Sequence, residues 1–107
     1  MEAFEASRRF PVEEKYSLTD QIRRSSRSVA ANTREGFAKR RYKNVFSKHL
    51  VDALGSAEET RTWLDFAFRC GYLQPEAHEK ISAKYDRVCA MLYRLHKQWS
   101  NMMEHPG

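Results

Sequence analysis

The sequence predicts an all-α protein, an antiparallel up-and-down four-helix bundle with a shortened first helix. Four glycines and three prolines among 107 residues favour long uninterrupted helices over a fold with many turns. Apolar residues recur at helical spacing in three long segments. No apolar run approaches the roughly 20 residues that span a bilayer. We therefore expect one cytoplasmic domain over residues 1–107, with no membrane association.

The first predicted elements are a short helix over residues 1–9 and a long helix over residues 18–37. The short helix stops at Phe10, because the residue before a proline is disfavoured in the helical region. Ser17 is expected to cap the long helix, with Asp20 three positions later as a variant of the capping box. The predicted packed face of this helix consists of Leu18, Ile22, Ser25, Val29 and Thr33.

The next predicted helix covers residues 42–70 and follows a basic link at residues 39–41. Its core positions recur at intervals of four and three residues, the heptad pattern of packed helices. They are Phe46, Leu50, Ala53, Ala57, Thr60, Leu64 and Ala67. Several of these side chains are small, which implies close approach between helices. Gly71 is expected just past the end of the helix, where a left-handed residue is common.

The last predicted helix covers residues 75–102 and begins with Pro75, a residue suited to the first helical turn. It repeats the heptad pattern with Ile81, Tyr85, Val88, Leu92, Leu95, Trp99 and Met102. The links between the three long helices are short, which indicates antiparallel neighbours.

Positive charge is concentrated between Gln21 and Lys48. That window holds nine of the nineteen basic residues and one acid, Glu35, so its net charge is +8; the whole chain is +5, and the remainder is therefore −3. A field this polarised attracts a polyanion without any pocket or catalytic group. The charge distribution thus favours nucleic acid as a partner.

The candidate nucleic-acid-binding residues lie on one helix face and on the link that follows it. On an α-helix three of the arginines fall within about 40° of one another, on the side away from Ile22 and Val29. Arginine suits phosphate because its planar fork can bind two oxygens. The candidates are Arg23, Arg27, Arg34, Lys39, Arg40, Arg41 and Lys43. The alternative is a solvated face paired with acids of the same chain or of a neighbouring subunit.

Three aromatic residues, Phe37, Tyr42 and Phe46, lie near these cations in sequence. Each could stack on unpaired bases. Phe46 occupies a heptad position, so core packing is the favoured interpretation for it, whereas both roles stay open for Tyr42. The polar residues Asn32 and Glu35 are expected to be structural, Asn32 by bridging helices and Glu35 by pairing with an arginine.

Two further segments suggest close contacts. Residues 53–57 read ALGSA, and a mid-helix glycine costs about 1 kcal/mol relative to alanine, so Gly55 implies a compensating helix or subunit contact. Trp63, Phe66 and Phe68 fall partly off the heptad stripe. They form either the remainder of a wide core or, as we favour, a subunit interface.

Catalysis, metal binding and cofactors are not expected. The four histidines, His49, His78, His96 and His105, show neither a Glu-x-x-His nor a His-Glu-x-x-His pattern. The two cysteines, Cys70 and Cys89, form no metal-ligand spacing and no disulfide framework, which favours reduced, buried thiols.

The chain resembles the four-helix-bundle family encoded in intervening sequences of bacterial 23S ribosomal RNA genes. The resemblance rests on FP at residues 10–11, YSLTDQIRRSS at 16–26, SVAAN at 28–32 and EGF at 35–37. It continues with ALGSAEE at 53–59 and GYL at 71–73. The order and spacing of these stretches are specific to the family. Together they extend over about residues 10–99.

The resemblance implies a small cytoplasmic bundle that assembles as a ring, typically a homopentamer. A related branch is the accessory variability protein of diversity-generating retroelements, which works with a reverse transcriptase and binds nucleic acid through a basic surface. The resemblance therefore implies self-association and nucleic acid as a partner, and a protein such as a reverse transcriptase as another. It implies no enzymatic activity.

Three departures from the family pattern bear on assembly and binding. The family usually has a long helix before the Phe-Pro pair, whereas nine residues precede Phe10 here, so either the bundle is incomplete or the chain starts late. Thr33 and Arg34 stand where an apolar residue and alanine are usual. The link before residue 42 is one residue longer and richer in charge. The last two departures favour polyanion binding.

The sequence thus predicts a non-catalytic, self-associating helical bundle whose basic face binds RNA or DNA as a scaffold or accessory factor. The alternative is an adaptor whose basic face docks an acidic protein partner.

Overall fold

The computed structural model of the protein describes the backbone of residues 15–104 and the side chains of residues 17–102. A π-helical segment, Lys15–Thr19, leads into three α-helices, namely α1 at Asp20–Ala38, α2 at Lys43–Arg69 and α3 at Pro75–Glu104. Residues 15–104 contain no strand, so the predicted all-α class is confirmed. The predicted short helix over residues 1–9 lies outside the described residues, and three of the four helices of the predicted bundle are therefore seen.

The start of α1 differs from the prediction. Ser17 lies inside the π-helical segment, and the α-helix begins at Asp20. Thr19, immediately before α1, already has helical backbone angles, with φ −61° and ψ −43°. The predicted N-cap at Ser17 is therefore wrong, because a cap needs a non-helical residue at the point where the helix starts.

The packed face of α1 matches the prediction at its first three positions and then departs from it. Leu18, Ile22 and Ser25 are buried, whereas Thr33 is exposed and donates a hydrogen bond to the carbonyl oxygen of Val29. The face continues instead to Gly36, which is buried. Successive steps of three and four residues, the repeat of helices packed side by side, lead from Ser25 through Val29 and Asn32 to Gly36 and do not include residue 33.

The heptad pattern of α2 is confirmed at all seven positions. Each predicted core residue is buried: Phe46, Leu50, Ala53, Ala57, Thr60, Leu64 and Ala67. Such a stripe places α2 in the centre of the described structure, with α1 and α3 both packed against it. The small residues on the stripe allow the neighbouring backbones to approach closely.

The link between α2 and α3 is a Schellman motif, which confirms the predicted role of Gly71. Gly71 has φ +79°, in the left-handed region. Its N–H donates to the carbonyl oxygen of Phe68 at 3.0 Å, and the N–H of Tyr72 donates to that of Ala67 at 2.9 Å. Pro75 then opens α3, as predicted.

The heptad pattern of α3 holds only in part. Ile81 and Leu92 are buried, but Leu95 is 38% exposed and Met102 is 57% exposed, so these two predicted core positions are wrong. Cys89 is buried instead. The indole N–H of Trp99 donates to the carbonyl oxygen of Lys43, at the first residue of α2. Residue 102 therefore lies beyond the start of α2, where that helix no longer offers a packing surface.

Two apolar clusters hold the helices together. At the α2–α3 link all three helices contribute to the first cluster, Leu18, Ile22, Leu64, Ala67, Leu73 and Ile81. The second cluster joins α2 and α3 near the other end and contains Phe46, Leu50, Ala53 and Leu92. The C-terminal half of α1 contributes to neither cluster. It packs on α2 through polar and small side chains, which are described below.

Candidate nucleic-acid interface

Two of the three arginines predicted to share one face of α1 are accessible, and the third is partly buried. Arg27 and Arg34 are exposed and Arg23 is half-buried, while Ile22 and Ser25 are buried on the opposite side of the helix. From Arg23 to Arg34 the rise is about 16 Å along the axis at about 1.5 Å per residue. This length corresponds to about five phosphates of one nucleic-acid strand at about 3.4 Å each.

The remaining candidate cations occupy the turn between α1 and α2 and the first residue of α2. Lys39, Arg40, Arg41 and Lys43 are all exposed. Backbone hydrogen bonds close the turn, since the N–H of Lys39 donates to the carbonyl oxygens of Glu35 and Gly36, each at 3.1 Å, and that of Tyr42 donates to Lys39 at 2.9 Å. The turn and the first residue of α2 therefore present four cations on a short, hydrogen-bonded segment.

Carboxylates do not neutralise most of this basic surface within the described residues. Ion pairs there join Lys48 to Asp52, Arg61 to Glu58 and Asp86, and two histidines to acids. Of the nine cations in the basic window, Lys48 is thus paired, at 3.4 Å. The described ion pairs do not include Arg27, Arg34, Lys39, Arg41 or Lys43. The accessible positive charge predicted from the sequence is consequently present on α1 and its turn.

Glu35, the acid of this window, has a different neighbour from the one predicted. Its Oε2 atom lies 3.9 Å from Nε2 of His49 on α2, and among the described ion pairs Glu35 contacts this histidine and no arginine. Sequence spacing could not reveal this neighbour, because the contact depends on how α1 and α2 align.

Asn32 bridges the helices, in line with its predicted structural role. Its side-chain nitrogen donates to the carbonyl oxygen of Ser28 at 3.0 Å, which leaves Oδ1 as the acceptor for Nδ1 of His49 at 3.0 Å. The His49 ring consequently carries a proton on Nδ1. Asn32 and His49 together fix the separation of α1 and α2 near the basic turn.

Hydroxyl groups continue this contact along the helix pair. Thr60 donates to Ser25 at 2.8 Å, and Ser56 donates to Ser28 at 2.9 Å. We call the set Ser25, Ser28, Asn32, His49, Ser56 and Thr60 the polar seam. The sequence did not predict these hydrogen bonds between the helices, although it placed Ser25 and Thr60 at core positions. Hydroxyl residues at heptad core positions of two neighbouring helices were the available signal.

The three aromatic residues near the cations have different environments. Phe46 is 6% exposed and packs edge-on against Trp99, with ring centroids 4.6 Å apart, so its predicted core role is confirmed. Phe37 is 61% exposed and Tyr42 is 60% exposed. The guanidinium carbon of Arg40 lies 4.2 Å from the centroid of the Phe37 ring. Two accessible rings therefore stand among the cations of the turn.

A second surface lies near the N-terminal end of α1. Trp63 packs partly against the first apolar cluster, Phe66 is 51% exposed, and Phe68 stacks on His78 with centroids 4.2 Å apart. A shallow groove runs between α1 and α2 past Arg24, Trp63 and Phe66. From Arg24 to Phe37 the rise along α1 is about 20 Å at about 1.5 Å per residue, so this groove and the turn are separate surfaces.

The neighbourhood of Gly55 differs from the expectation. Gly55 is exposed, and a Cβ atom on it would have no described atom within 4 Å apart from its chain neighbours and the backbone of its own helix. Its neighbours Ala53 and Ala57 are the residues that pack inside the protein. The predicted helix contact at Gly55 itself is therefore wrong for the described part of the chain.

The cysteines and histidines form no recognisable centre. Cys89 is buried, and this burial raises the pKa of its thiol, an effect that a hydrogen bond with Arg61 opposes. Cys70 is exposed, which contradicts its predicted burial. Within the described residues no cluster of three or more histidine, cysteine, aspartate or glutamate side chains is arranged to bind a metal ion. None of the described helices has the length and apolar character needed to span a bilayer.

Fold and surface together define a small all-helical protein with a cationic turn at one end and a polar contact between two of its helices. Over residues 1–94 the chain matches the family described as 23S rRNA-intervening sequence protein, and it belongs to that family. The resemblance drawn from the sequence motifs is thereby confirmed. A comparison with curated proteins gives no match.

Proposed function

We propose that this protein binds nucleic acid through the arginine face of α1 and the α1–α2 turn, acting as a scaffold or accessory factor without catalytic turnover. One observation carries the proposal: Arg27, Arg34, Lys39, Arg41 and Lys43 are exposed and stand outside the described ion pairs. Exposed cations that no described carboxylate neutralises can contact the phosphates of a nucleic acid. Binding releases counterions from the nucleic acid, which makes the interaction favourable and dependent on salt.

The geometry supports contact with the sugar–phosphate backbone more than reading of base sequence. The cations follow the axis of α1 and continue around the turn, so they match a line of phosphates. Specific reading of a duplex needs side chains that enter a groove and face base edges. We therefore expect binding to RNA and DNA with little dependence on sequence.

A salt titration of binding tests the proposal. The probes are a fluorescein-labelled 20-nucleotide RNA and DNA, and the readout is fluorescence anisotropy between about 50 and 200 mM salt. The variant Arg34→Ala/Arg41→Ala should weaken binding and lower the slope of log K against log salt by about 1.4 for single strands, at about 0.7 for each phosphate contact.

The matched control is Lys80→Ala/Arg87→Ala, which removes two exposed cations from α3 outside the basic window. This variant has the same net charge and should bind with nearly wild-type affinity and slope. Equal losses in both variants would mean that only net charge matters. No binding by the wild type at low salt would contradict the proposal and favour an adaptor that docks an acidic protein.

We also propose that the protein self-associates, with a homopentamer as the expected assembly. Exposed apolar side chains support this: Phe66 is 51% exposed, Met91 is 53% exposed and Met102 is 57% exposed. Repetition of the cationic turn in every subunit would add weak contacts through avidity. Multi-angle light scattering across a range of concentrations tests the assembly, and a monomer at every concentration would contradict it.

A further inference from the structure

Two aromatic rings are exposed on the turn between α1 and α2. Phe37 is the second-last residue of α1, and Tyr42 immediately precedes α2. They are 61% and 60% exposed, whereas Phe46, one helical turn after Tyr42, is 6% exposed. Phe46 shows that this end of the molecule has an apolar interior in which an aromatic ring can be buried. Phe37 and Tyr42 are excluded from that interior by the path of the turn.

The backbone of the turn holds both rings in defined places. The N–H of Arg40 donates to the carbonyl oxygen of Phe37 at 3.3 Å, and the N–H of Phe46 donates to that of Tyr42 at 2.9 Å. The rings are therefore attached to the ends of two packed helices. Little conformational entropy remains to be lost in the backbone when a ligand contacts them.

Arg40, one of the cations of the turn, contacts one of these rings. Its Nη1 atom donates to the carbonyl oxygen of Phe37 at 2.9 Å, and its guanidinium lies 4.2 Å from the centroid of the Phe37 ring. This arrangement keeps a cation over an aromatic face beside the exposed Lys39 and Arg41. A ligand that covers the rings is thus brought next to several positive charges.

Single-stranded nucleic acid has the chemistry that fits such a surface. It offers a line of negative charges together with flat apolar faces that are free to stack. In a duplex the same faces are occupied by neighbouring base pairs. Stacking of one base on an aromatic side chain is worth about 5- to 150-fold in affinity and tolerates any base.

We propose that Phe37 and Tyr42 are stacking platforms for unpaired bases, so that the turn prefers single-stranded RNA or DNA over duplex. This inference rests on the proposed function, since it assigns a ligand class to the same cationic surface. It adds a contact that does not depend on salt, because stacking releases no counterions from phosphates.

The test compares a 20-nucleotide single strand with a 20-base-pair duplex by fluorescence anisotropy. The variant Phe37→Leu/Tyr42→Leu should weaken single-strand binding by about thirtyfold or more, from two lost stacking contacts. Duplex binding should change by less than about twofold, and the salt slope should stay the same for both probes. Circular dichroism confirms that each variant keeps its helical content.

Two controls separate stacking from other effects. Tyr93→Leu removes an aromatic side chain that is 57% exposed on α3 and should leave binding unchanged. Tyr42→Phe keeps the ring and should retain wild-type affinity. If it does not, the hydroxyl group is responsible and stacking by Tyr42 is wrong.

The outcomes distinguish this inference from the proposed function. Wild-type protein that binds both probes with a steep salt dependence, and whose affinity is insensitive to Phe37→Leu/Tyr42→Leu, would overturn the stacking platforms alone. Equal losses for single strand and duplex would also overturn them. Wild-type protein that binds neither probe at low salt would overturn both proposals.

Discussion

Gly36 of α1 lies directly against His49 of α2. A Cβ atom at residue 36 would be 2.8 Å from Cβ of His49 and 3.5 Å from Cδ1 of Phe46. A Cβ atom essentially never lies within 3.0 Å of a heavy atom of another residue, so the two helices can be this close only with glycine at residue 36. At this approach Nδ1 of His49 also lies 3.0 Å from Oδ1 of Asn32.

We predict that Gly36→Ala lowers the free energy of unfolding by about 1–2 kcal/mol, despite the higher helix propensity of alanine. The opposing atom belongs to the Cβ position of a packed residue and cannot rotate away, so the helices must separate. Urea denaturation followed by circular dichroism measures the change. The outcome that contradicts the prediction is a variant as stable as the wild type.

Gly55→Ala is the matched control for that experiment. Gly55 is also in the middle of a helix, but a Cβ atom there would contact no described atom of a neighbouring helix within 4 Å. The substitution should therefore raise the free energy of unfolding by up to about 1 kcal/mol, the propensity difference alone. Destabilisation at Gly55 would show that this face is packed in solution, as it would be in a subunit interface.

Gly36 and Gly55 show which features of the fold can be predicted from the sequence and which cannot. Gly55 was expected to mark a close contact because it interrupts a helix, whereas Gly36 carries the contact. Both lie within helical patterns, and only the crossing of α1 and α2 decides which one meets a neighbour. Helix identity and the α2 stripe were predictable because they depend on local spacing. The neighbour of Glu35 was not, since it depends on how the two helices align.

The candidate site was predictable to a similar extent. Exposure of Arg27 and Arg34 follows from their angular position on α1, opposite buried Ile22. Lys48 lies in the same basic window, but it pairs with Asp52 four residues later. The contact between Arg40 and Phe37 depends on the shape of the turn, which composition does not specify. Tertiary geometry thus determines which charges stay accessible.

The polar seam should show energetic coupling between helices. Thr60 is fully buried and donates to Ser25, which is 3% exposed, at 2.8 Å. Thr60→Val and Ser25→Ala should each lower the free energy of unfolding by about 0.5–1.5 kcal/mol, because each removes a buried hydrogen bond between the helices. The hydroxyl that remains keeps a carbonyl partner in its own helix, Ser56 for Thr60 and Gln21 for Ser25. The double variant should lose less than the sum of the two.

A double-mutant cycle by urea denaturation gives the coupling free energy between Thr60 and Ser25. We expect about 0.5–1.5 kcal/mol. Thr62→Val serves as the control for the loss of a threonine hydroxyl, since Thr62 is exposed and bonds only to a carbonyl of its own helix among the described contacts. Strict additivity at Thr60 and Ser25 would contradict an interhelical contribution from the seam.

Gly71 should resist substitution by residues with a Cβ atom. Its φ of +79° costs an L-residue roughly 1–2 kcal/mol, and the Schellman hydrogen bonds of α2 require this backbone conformation. Gly71→Ala should therefore lower the midpoint of thermal unfolding by several degrees. Gly71→Asn should lower it less, because asparagine tolerates the left-handed region better. Equal effects of the two substitutions would indicate that packing, and not backbone strain, determines the loss.

The two cysteines should differ strongly in reactivity. The thiolate is the reactive form, and burial raises the pKa of the Cys89 thiol, so at neutral pH the thiolate population of Cys89 is lower than that of an ordinary cysteine. Burial also blocks access to the sulfur, whereas Cys70 is exposed. Alkylation with iodoacetamide at pH 7.5, followed by mass spectrometry, should modify Cys70 first. Cys70→Ser should abolish the fast phase, and Cys89→Ser should leave it intact.

The rate at Cys89 should rise with pH through its elevated pKa and should approach that of Cys70 only in denaturant. Equal rates for the two thiols in the native protein would show that α3 opens readily from α2 around Cys89.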